Sequence, residues 1–463
     1  MKKIIFFLLS IIFTLSSVTA QEITGDWNGV LSIQGMKLRL VFHITKTDAG
    51  FSATMDSPDQ GAKGIPMTSA KFENNILTLE HTAAKIVFSG TLDKMGFVTG
   101  NFVQGAMTFP LMLTRKEVVV EKPKRPQDPK KPYPYNSEDI TFINSKDSIT
   151  LAGTFTYPTG KAKFPVVILI SGSGAQNRDE ELMGHKPFLV LSDYLTRNGI
   201  AVLRYDDRGS FASTGNFAAS TSADFARDVE AAIQYLKTRK EINAKKIGLI
   251  GHSEGGLIAP MVASRSKDVA YIVMMAGPGI SGAEILLRQQ ELIGRANGIK
   301  EEDIAETKAT NSSIYKFIDE IENTDSLRNA LTSFVKTEMQ KKTKLPSEKA
   351  AQEMAENQIA QIMSPWMLYF MRYNPAPTLE KVKCPVLAIN GSKDLQVPAE
   401  INLQTIEKSL KKAGNKKYVV KELTGLNHLF QECKTGSPNE YAEIEQTISP
   451  LALETMLKWI KGL

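Results

Sequence analysis

A serine stands between glycines in "LIGHSEGGLI", residues 249–258, directly after a run of β-forming residues and before a run with helical character. The stretch fits G-x-S-x-G, whose glycines permit a sharp turn from a strand into a helix and expose the serine at its tip. A serine hydroxyl attacks a carbonyl carbon only when a base takes its proton. Ser253 is therefore a candidate nucleophile. Turns are rich in glycine and serine in any case, so whether Ser253 is a nucleophile depends on whether a base and an acid accompany it.

A candidate acid and a candidate base follow Ser253 along the chain. Asp394 comes after the apolar run "PVLAI", and His428 comes after "KYVVKEL", so each lies just past a predicted strand. This order of nucleophile, acid and base is the one that a strand-to-helix serine turn uses. His252 adjoins the serine and should point elsewhere, while His185 precedes it. The pattern predicts a triad in which His428 is the base and Asp394 orients it, the alternative being a loop histidine and a turn-forming aspartate.

Acyl transfer at a serine also needs two N–H groups that stabilise an oxyanion. The backbone N–H of Glu254, directly after the nucleophile, is the first candidate. The second comes from the loop after an earlier strand, here "SGSG" of residues 171–174, where Ser173 is the predicted donor and Gly174 the alternative. This chemistry requires no metal and no cofactor, and the sequence offers no Cys or His cluster with the spacing of metal ligands. We therefore predict neither.

The elements that must position these residues are strands and helices in alternation. Over residues 137–463, continuous apolar runs alternate with amphipathic helical patterns. This alternation predicts a mainly parallel sheet covered by helices on both faces, with its site beyond the carboxyl ends of the strands. The clearest helix is "SADFARDVEAAIQYLKTRKEI", for which Ser222 is the predicted N-cap.

A charged, helix-favouring insert at about 281–376 interrupts the alternation and predicts a helical cap. Its end, "SPWMLYFMRYNPAP", is dense in aromatic residues. Trp366, Tyr369 and Phe370 are candidate substrate-binding residues, but the same side chains would equally serve to dock the cap, since clefts and helix packing both use them.

The beginning of the chain has a different pattern. Residues 21–117 run in short alternating segments separated by Gly, Asn and Asp, which predicts a small antiparallel barrel or sandwich. The segment "GDWNGVL" is similar to the G-x-W opening of lipocalin-like barrels. We find no catalytic constellation here and expect an accessory module. Residues 118–136 hold five prolines and predict a stiff, extended linker.

Residues 1–20 have the pattern of a secretory signal, with two lysines, an apolar run and small residues before Gln21. We therefore expect an exported protein, periplasmic or secreted. No later apolar stretch reaches the ~20 residues of a membrane span. The formal net charge is +6, but much of the excess lies in the signal and the linker, so we expect no nucleic-acid partner. Cys384 and Cys433 are expected to be buried thiols, although a disulfide stays open.

The stretches "GHSEGG", "YDDRGS" and "NGSKDLQVP", with the "NH" of the histidine loop, resemble the α/β-hydrolase family. The resemblance is to its exported branch with cap inserts, which includes serine aminopeptidase-like and acyl-esterase-like members, and it covers about residues 137–463. It implies an HG-type oxyanion loop, although Ser171 stands where that loop often begins with histidine. It also implies that Asp206, Asp207 and Arg208 form a structural ion-pair turn.

Together these features predict a serine hydrolase that cleaves carboxylic esters of small molecules through an acyl-enzyme intermediate. An exported serine peptidase or aminopeptidase acting on short peptides is the alternative, because the triad does not distinguish the two bonds. A binding protein that kept the fold and lost turnover is a third, less favoured reading. A panel of esters and aminoacyl anilides distinguishes all three.

Overall fold

The computed structural model describes residues 22–33, 36–105, 107–120, 123–342 and 347–463. The predicted signal sequence, residues 1–20, lies outside them. The chain forms two compact units, residues 1–122 and 123–463, so the boundary falls inside the stretch predicted as a linker. Within the described part of the chain, no helix is both long enough and apolar enough to cross a membrane.

The first unit is a closed antiparallel barrel. Its strands, β1 to β9, are Gly25–Ile33, Met36–Thr47, Gly50–Ser57, Ala62–Pro66, Ser69–Glu73, Ile76–His81, Ile86–Leu92, Val98–Gln104 and Met107–Thr114. The order is β2-β1-β9-β8-β7-β6-β5-β3-β4, and pairing of β2 with β3 closes a ring of eight strands beside which β4 lies. The all-β prediction is confirmed, and the barrel replaces the sandwich that the sequence left open.

Large apolar side chains fill the barrel interior. In β7 the side chains alternate strictly between buried and exposed, as one covered face of a sheet requires. Trp27 is 1% exposed, its indole Nε1 donates to the Ile23 carbonyl at 2.7 Å, and the Arg115 guanidinium lies 4.0 Å from its ring centroid. The tryptophan of "GDWNGVL" therefore packs as part of the core, covered by a cation on its ring face.

The second unit contains an eight-stranded mixed sheet. Strands β10 to β17 are Asn136–Asn144, Ile149–Tyr157, Phe164–Ile170, Ala201–Tyr205, Ile242–His252, Tyr271–Met275, Val386–Gly391 and Tyr418–Leu423. Their order is β10-β11-β13-β12-β14-β15-β16-β17. The pairs β10–β11 and β11–β13 are antiparallel and the remaining pairs are parallel. The strand order reverses at β12, so a crevice opens where the carboxyl ends of β12 and β14 adjoin.

Helices cover both faces of this sheet. Helices α1 to α11 are Pro187–Arg197, Ser222–Lys237, Glu254–Ala263, Gly282–Ala296, Glu301–Glu320, Thr324–Lys342, Glu348–Ile362, Pro365–Arg372, Ala376–Leu379, Ala399–Lys412 and Pro450–Lys461. Helices α2, α3 and α10 pack in the apolar core of one face, whereas α1 and α11 pack in that of the other. Helices α4 to α8 form the predicted cap and have an apolar core of their own.

The start of α2 corrects one prediction. Ser222 was expected to be the N-cap, but the cap is Thr221, whose backbone N–H donates to Asp224 Oδ2 at 2.7 Å. This is the capping-box geometry with an aspartate in place of the usual glutamate. Ser222 is left free to bond elsewhere, and its hydroxyl donates to Glu254.

The residues just after Pro123 are fixed on the second unit. Arg125 Nη2 donates to the carbonyl oxygens of Met183 and Ala442, at 3.0 Å each. Gln127 Nε2 donates to the Ile448 carbonyl at 2.7 Å. The sequence predicts an extended linker over this stretch because of its prolines, but Arg125 and Gln127, which stand between the prolines, bind backbone carbonyls of the second unit.

Candidate active site

Ser253 occupies a strained turn between β14 and α3. Its φ is 52° and its ψ is −115°, a backbone conformation that residues other than glycine rarely adopt, and its N–H donates to the Met275 carbonyl at 2.8 Å. Two flanking glycines make the turn possible. A Cβ on Gly251 would overlap the Gly255 carbonyl, and one on Gly255 would overlap the Ile170 carbonyl. The backbone itself thus presents the serine beyond the strand end, as the motif predicts.

Asp394 and His428 form a buried pair beside this turn. Asp394 follows β16, and its Oδ1 accepts from the N–H groups of Gln396 and Val397 at 2.8 Å each. His428 Nδ1 lies 2.8 Å from Asp394 Oδ2, and both side chains are buried. Because a carboxylate only accepts, the proton of a neutral His428 is on Nδ1 and Nε2 is left as the basic atom.

Ser253 and His428 line the same small cavity, of about 100 Å³. Gly172, Ser173, Gln176 and Gln396 are also part of its wall. In the described part of the chain, no hydrogen bond joins the Ser253 hydroxyl to His428 Nε2. The structure therefore brings the predicted nucleophile and base together in one cavity and pairs the base with the predicted acid.

The loop after β12 lies against Ser253. A Cβ on Gly172 would lie 3.3 Å from Ser253 Cβ, and the Gly172 N–H is occupied because it donates to Glu180 Oε1 at 2.8 Å. The N–H groups of Ser173 and Glu254, the predicted oxyanion donors, have no hydrogen-bond acceptor among the described residues. Ser173 lines the cavity, whereas the alternative, Gly174, has a φ of 95° and is not part of the described cavity wall.

The Asp207 side chain binds two residues of this loop. Its Oδ1 accepts from the Ser171 hydroxyl at 2.6 Å and its Oδ2 from the Gln176 N–H at 2.9 Å. Burial raises the pKa of this carboxyl to about 8, and the nearby carboxylates of Glu254 and Glu180 add to the effect. Ser171, in the place of the histidine that often opens the family loop, is thus anchored by its side chain.

The turn "YDDRGS" is an ion-pair turn only in part. Asp206 pairs with Arg178 at 2.8 Å, and Arg208 pairs with Asp228 at 2.7 Å. Asp207, between them, has no ion-pair partner in the described part of the chain. The expectation for Asp207 was therefore wrong, because its side chain binds Ser171 and Gln176 of the loop after β12.

The Glu254 side chain connects the turn at Ser253 to the cap. It is 2% exposed, and its Oε1 accepts from the Ser222 hydroxyl at 2.5 Å and from Trp366 Nε1 at 2.8 Å. Burial raises the pKa of this carboxyl. The sequence singled out only the backbone of Glu254. Nothing in the spacing indicated that an indole from helix α8 would bind its carboxylate.

The aromatic residues of α8 lie apart from the small cavity. Trp366 stacks on Phe370 with ring centroids 5.3 Å apart, and Phe370 is 8% exposed. Tyr369 lines a separate groove of about 390 Å³ together with Tyr373. None of the three predicted substrate-binding residues is among the described residues that line the cavity at Ser253.

His185 and the two cysteines are not among the described residues that line the cavity at Ser253. His185 is fully buried, donates from Nε2 to the Tyr441 carbonyl at 2.8 Å, and has a pKa that burial lowers to about 4. Cys384 and Cys433 are free thiols and are partly buried rather than fully enclosed. Among the described residues, no group of three or more His, Cys, Asp or Glu is arranged to hold a metal ion.

Comparison with known proteins identifies the family. The model of the X-Pro dipeptidyl-peptidase (S15) family matches residues 147–422. The chain belongs to this family. Its members are serine hydrolases of the α/β-hydrolase fold, so the predicted fold and enzyme class are confirmed. The match begins after β10 and covers β11 to β16, nearly all of β17, the cap and the turns that carry Ser253 and Asp394, and it ends before His428.

The chain is also similar to individual proteins. Esterase EstD of Thermotoga maritima is 30% identical over 235 residues, which are 50% of this chain and 52% of that protein. The chain thus matches about half the length of this curated relative. An uncharacterised 31.7 kDa protein from the traX-finO intergenic region of Escherichia coli is 23% identical and is covered over 83% of its length. The esterase Pf2001 of Pyrococcus furiosus superimposes with a TM-score of 0.40 at 17% identity, covering 71% of this chain and 93% of that one.

Proposed function

We propose that the protein hydrolyses carboxylic esters through an acyl-enzyme formed on Ser253. His428 Nε2 takes the hydroxyl proton as Ser253 Oγ bonds to the carbonyl carbon, and the N–H groups of Ser173 and Glu254 receive the oxyanion. The tetrahedral intermediate expels the alcohol, which leaves with the proton from His428. Water then attacks the acyl-enzyme by the same route and releases the carboxylic acid and free Ser253.

The observation that carries this proposal is the buried His428–Asp394 pair, 2.8 Å long, in the wall of the cavity at Ser253. A buried carboxylate beside Nδ1 stabilises the imidazolium that forms when Nε2 takes a proton. The strained turn of Ser253 supports the same role, since strain of this kind persists where the surrounding structure fixes it for function.

The size of the cavity favours a short acyl group. At about 100 Å³ it is well below the ~300–1,000 Å³ of sites that enclose a drug-sized ligand. Its wall includes the amide side chains of Gln176 and Gln396, which both donate and accept hydrogen bonds. Leu182 and Leu429 line it as well, so we propose small esters with short acyl chains as the substrate class.

Peptide hydrolysis is the second candidate, and the family assignment is the observation that favours it. The matching family is named for cleavage after X-Pro dipeptides, whereas the curated relative from Thermotoga maritima is named as an esterase. An ester has a better leaving group than an amide, so ester hydrolysis requires less transition-state stabilisation from the site. We also propose that the chain is exported, on the strength of the signal-like residues 1–20.

The test combines covalent labelling with a substrate panel. A fluorophosphonate probe should label the wild type and leave Ser253→Ala unlabelled, and that variant should lose at least ~10³-fold in kcat. The panel contains p-nitrophenyl esters of increasing acyl length, beside aminoacyl- and X-Pro-p-nitroanilides. We expect turnover to be highest for the shortest esters. Labelling of Ser253→Ala would remove the serine from the mechanism, and faster turnover of the anilides would establish the peptidase.

A further inference from the structure

A second histidine and a glutamate lie directly behind the candidate base. His252 Nδ1 is 3.0 Å from Glu180 Oε1, and His252 Nε2 is 2.9 Å from the carbonyl oxygen of His428. The two imidazole rings are 4.9 Å apart between centroids. Glu180, His252 and His428 are all buried, with exposures of 5%, 6% and 5%. The pair therefore contacts the loop of the base from the protein interior.

The hydrogen bonds define the charge of His252. Both of its ring nitrogens face an oxygen that only accepts, a carboxylate on one side and a backbone carbonyl on the other. An imidazole that donates from both nitrogens is the cationic form. Burial is the largest single effect and opposes that charge, but Glu180, the His428 carbonyl and Asp394 together outweigh it and raise the pKa of His252. Glu180 and His252 thus form a buried ion pair.

The same glutamate also reaches the oxyanion loop. Glu180 Oε1 accepts from the Gly172 N–H at 2.8 Å, one residue before the candidate donor Ser173. Its backbone has a φ of 52°, and its Oε2 is buried with no hydrogen-bond partner among the described residues. Strain and an unpartnered buried oxygen both oppose stability. The presence of both features at Glu180 indicates that this residue serves the site rather than the stability of the fold.

We propose that the Glu180–His252 ion pair is a positioning device that holds the loop of His428 and the oxyanion loop in register over Ser253. One carboxylate oxygen fixes the Gly172 N–H and the imidazolium, and the imidazolium fixes the His428 carbonyl. The chain of hydrogen bonds therefore runs from the oxyanion loop to the loop of the base without passing through Ser253. The inference rests on the proposed function, because it assigns a task to groups that flank the proposed triad.

Protonation of His252 gives this device a recognisable pH dependence. The charged and titratable groups that face its ring are Glu180, His428 and Asp394. When the imidazolium loses its proton, one ring nitrogen can no longer donate, and one of the two bonds is lost. Activity should then fall on the alkaline side, at the pKa of His252. Replacing the charge of Glu180 by a neutral amide lowers that pKa, so the alkaline limb should move to lower pH.

The experiment compares Glu180→Gln with Glu181→Gln. The second variant makes the same change one residue later, at an exposed side chain. For each variant we would measure kcat and KM for a short p-nitrophenyl ester from pH 5 to 10, the rate of fluorophosphonate labelling, and Tm. We expect Glu180→Gln to lower kcat and the labelling rate by ~10- to 100-fold with little change in KM, because misplacement of reacting groups costs that much. Its alkaline limb should shift down by ~1–3 pH units, the usual effect of removing a close opposite charge. Glu181→Gln should match the wild type.

The outcomes separate this inference from the proposed function. If Ser253 is labelled in the wild type, but Glu180→Gln keeps the kcat and the alkaline limb of Glu181→Gln, the positioning role is wrong and the proposed function stands. If Ser253 is not labelled at all, the proposed function fails first. If Glu180→Gln does not fold, the pH dependence of kcat in the wild type still provides a test. A wild-type kcat that stays constant up to pH 10 would refute the requirement for a protonated His252. His252→Gln, which can keep only one of the two bonds, should reproduce the loss of kcat.

Discussion

The Asp394→Asn variant is a sharp test of the proposed base, because the structure dictates which way the new amide must face. Asp394 Oδ1 accepts from two backbone N–H groups at 2.8 Å each, so the amide oxygen of the variant has to occupy that position. The amide nitrogen is then 2.8 Å from His428 Nδ1. An amide nitrogen only donates, so Nδ1 must become the acceptor and the proton of the ring moves to Nε2.

That tautomer places a proton on the atom that has to accept one from Ser253. In serine hydrolases with this arrangement, the aspartate-to-asparagine change lowers kcat by about 10⁴-fold while the geometry stays intact. Such a loss corresponds to about 5.4 kcal/mol of transition-state stabilisation, at 1.36 kcal/mol for each factor of ten. The side chains have nearly the same volume and every backbone hydrogen bond is kept, so Tm should change little.

The assay is steady-state hydrolysis of a short p-nitrophenyl ester, together with the rate of fluorophosphonate labelling, which should fall in parallel. Asp268→Asn is a matched control, since Asp268 pairs with Lys237 on the surface and the variant should remain within about twofold of the wild type. A folded Asp394→Asn protein with kcat within tenfold of the wild type would refute the tautomer argument and, with it, the role of Asp394.

Two further predictions concern the oxyanion loop. Ser173→Ala keeps the backbone N–H and should stay within about tenfold of the wild type, whereas a folded Ser173→Pro lacks the donor and should lose ~10²–10³ in kcat; normal turnover of the proline variant would transfer the role to Gly174. Asp207 binds its proton more tightly in the folded state, because burial raises its pKa from 3.8 to about 8, so its contribution to stability falls as pH rises through that interval. Asp207→Asn removes this titration, and its Tm relative to the wild type should therefore rise from pH 5 to pH 8; a difference that is constant with pH would contradict the burial argument.

Features that depend on neighbours in the sequence were predictable. The alternation of apolar strands and amphipathic helices predicted the sheet, and the motif around Ser253 predicted its turn, because strand, turn and helix adjoin there. Asp394 and His428 were selected by their place after strand ends, and the parallel sheet brings such ends to one edge. The catalytic assignment of these residues stays a prediction.

Features that depend on pairs far apart in the chain were not predictable. Glu180 and His252 are 72 residues apart, and Trp366 and Glu254 are 112 residues apart. A lone glutamate in a loop has the sequence pattern of a solvated residue, and only the fold shows that it is buried. Thr221 and Ser222 are adjacent hydroxyl residues that could each cap α2, and only the fold shows that Ser222 binds Glu254, 32 residues away, while Thr221 is the cap. The barrel closes through β2 and β3, and no local pattern distinguishes that closure from two packed sheets.

The glycines that flank Ser253 touch the main chain rather than side chains. A Cβ at Gly251 or Gly255 would strike a carbonyl oxygen, which is an atom that every amino acid carries. The turn that positions Ser253 is thus shaped by contacts between main-chain atoms, which stay the same when side chains of the surrounding core are substituted. Helices α5 to α7 pack in a separate apolar core, so substitutions in them need not move these carbonyl oxygens. The outer part of the cap can therefore change in an evolving lineage while the turn that carries Ser253 keeps its shape.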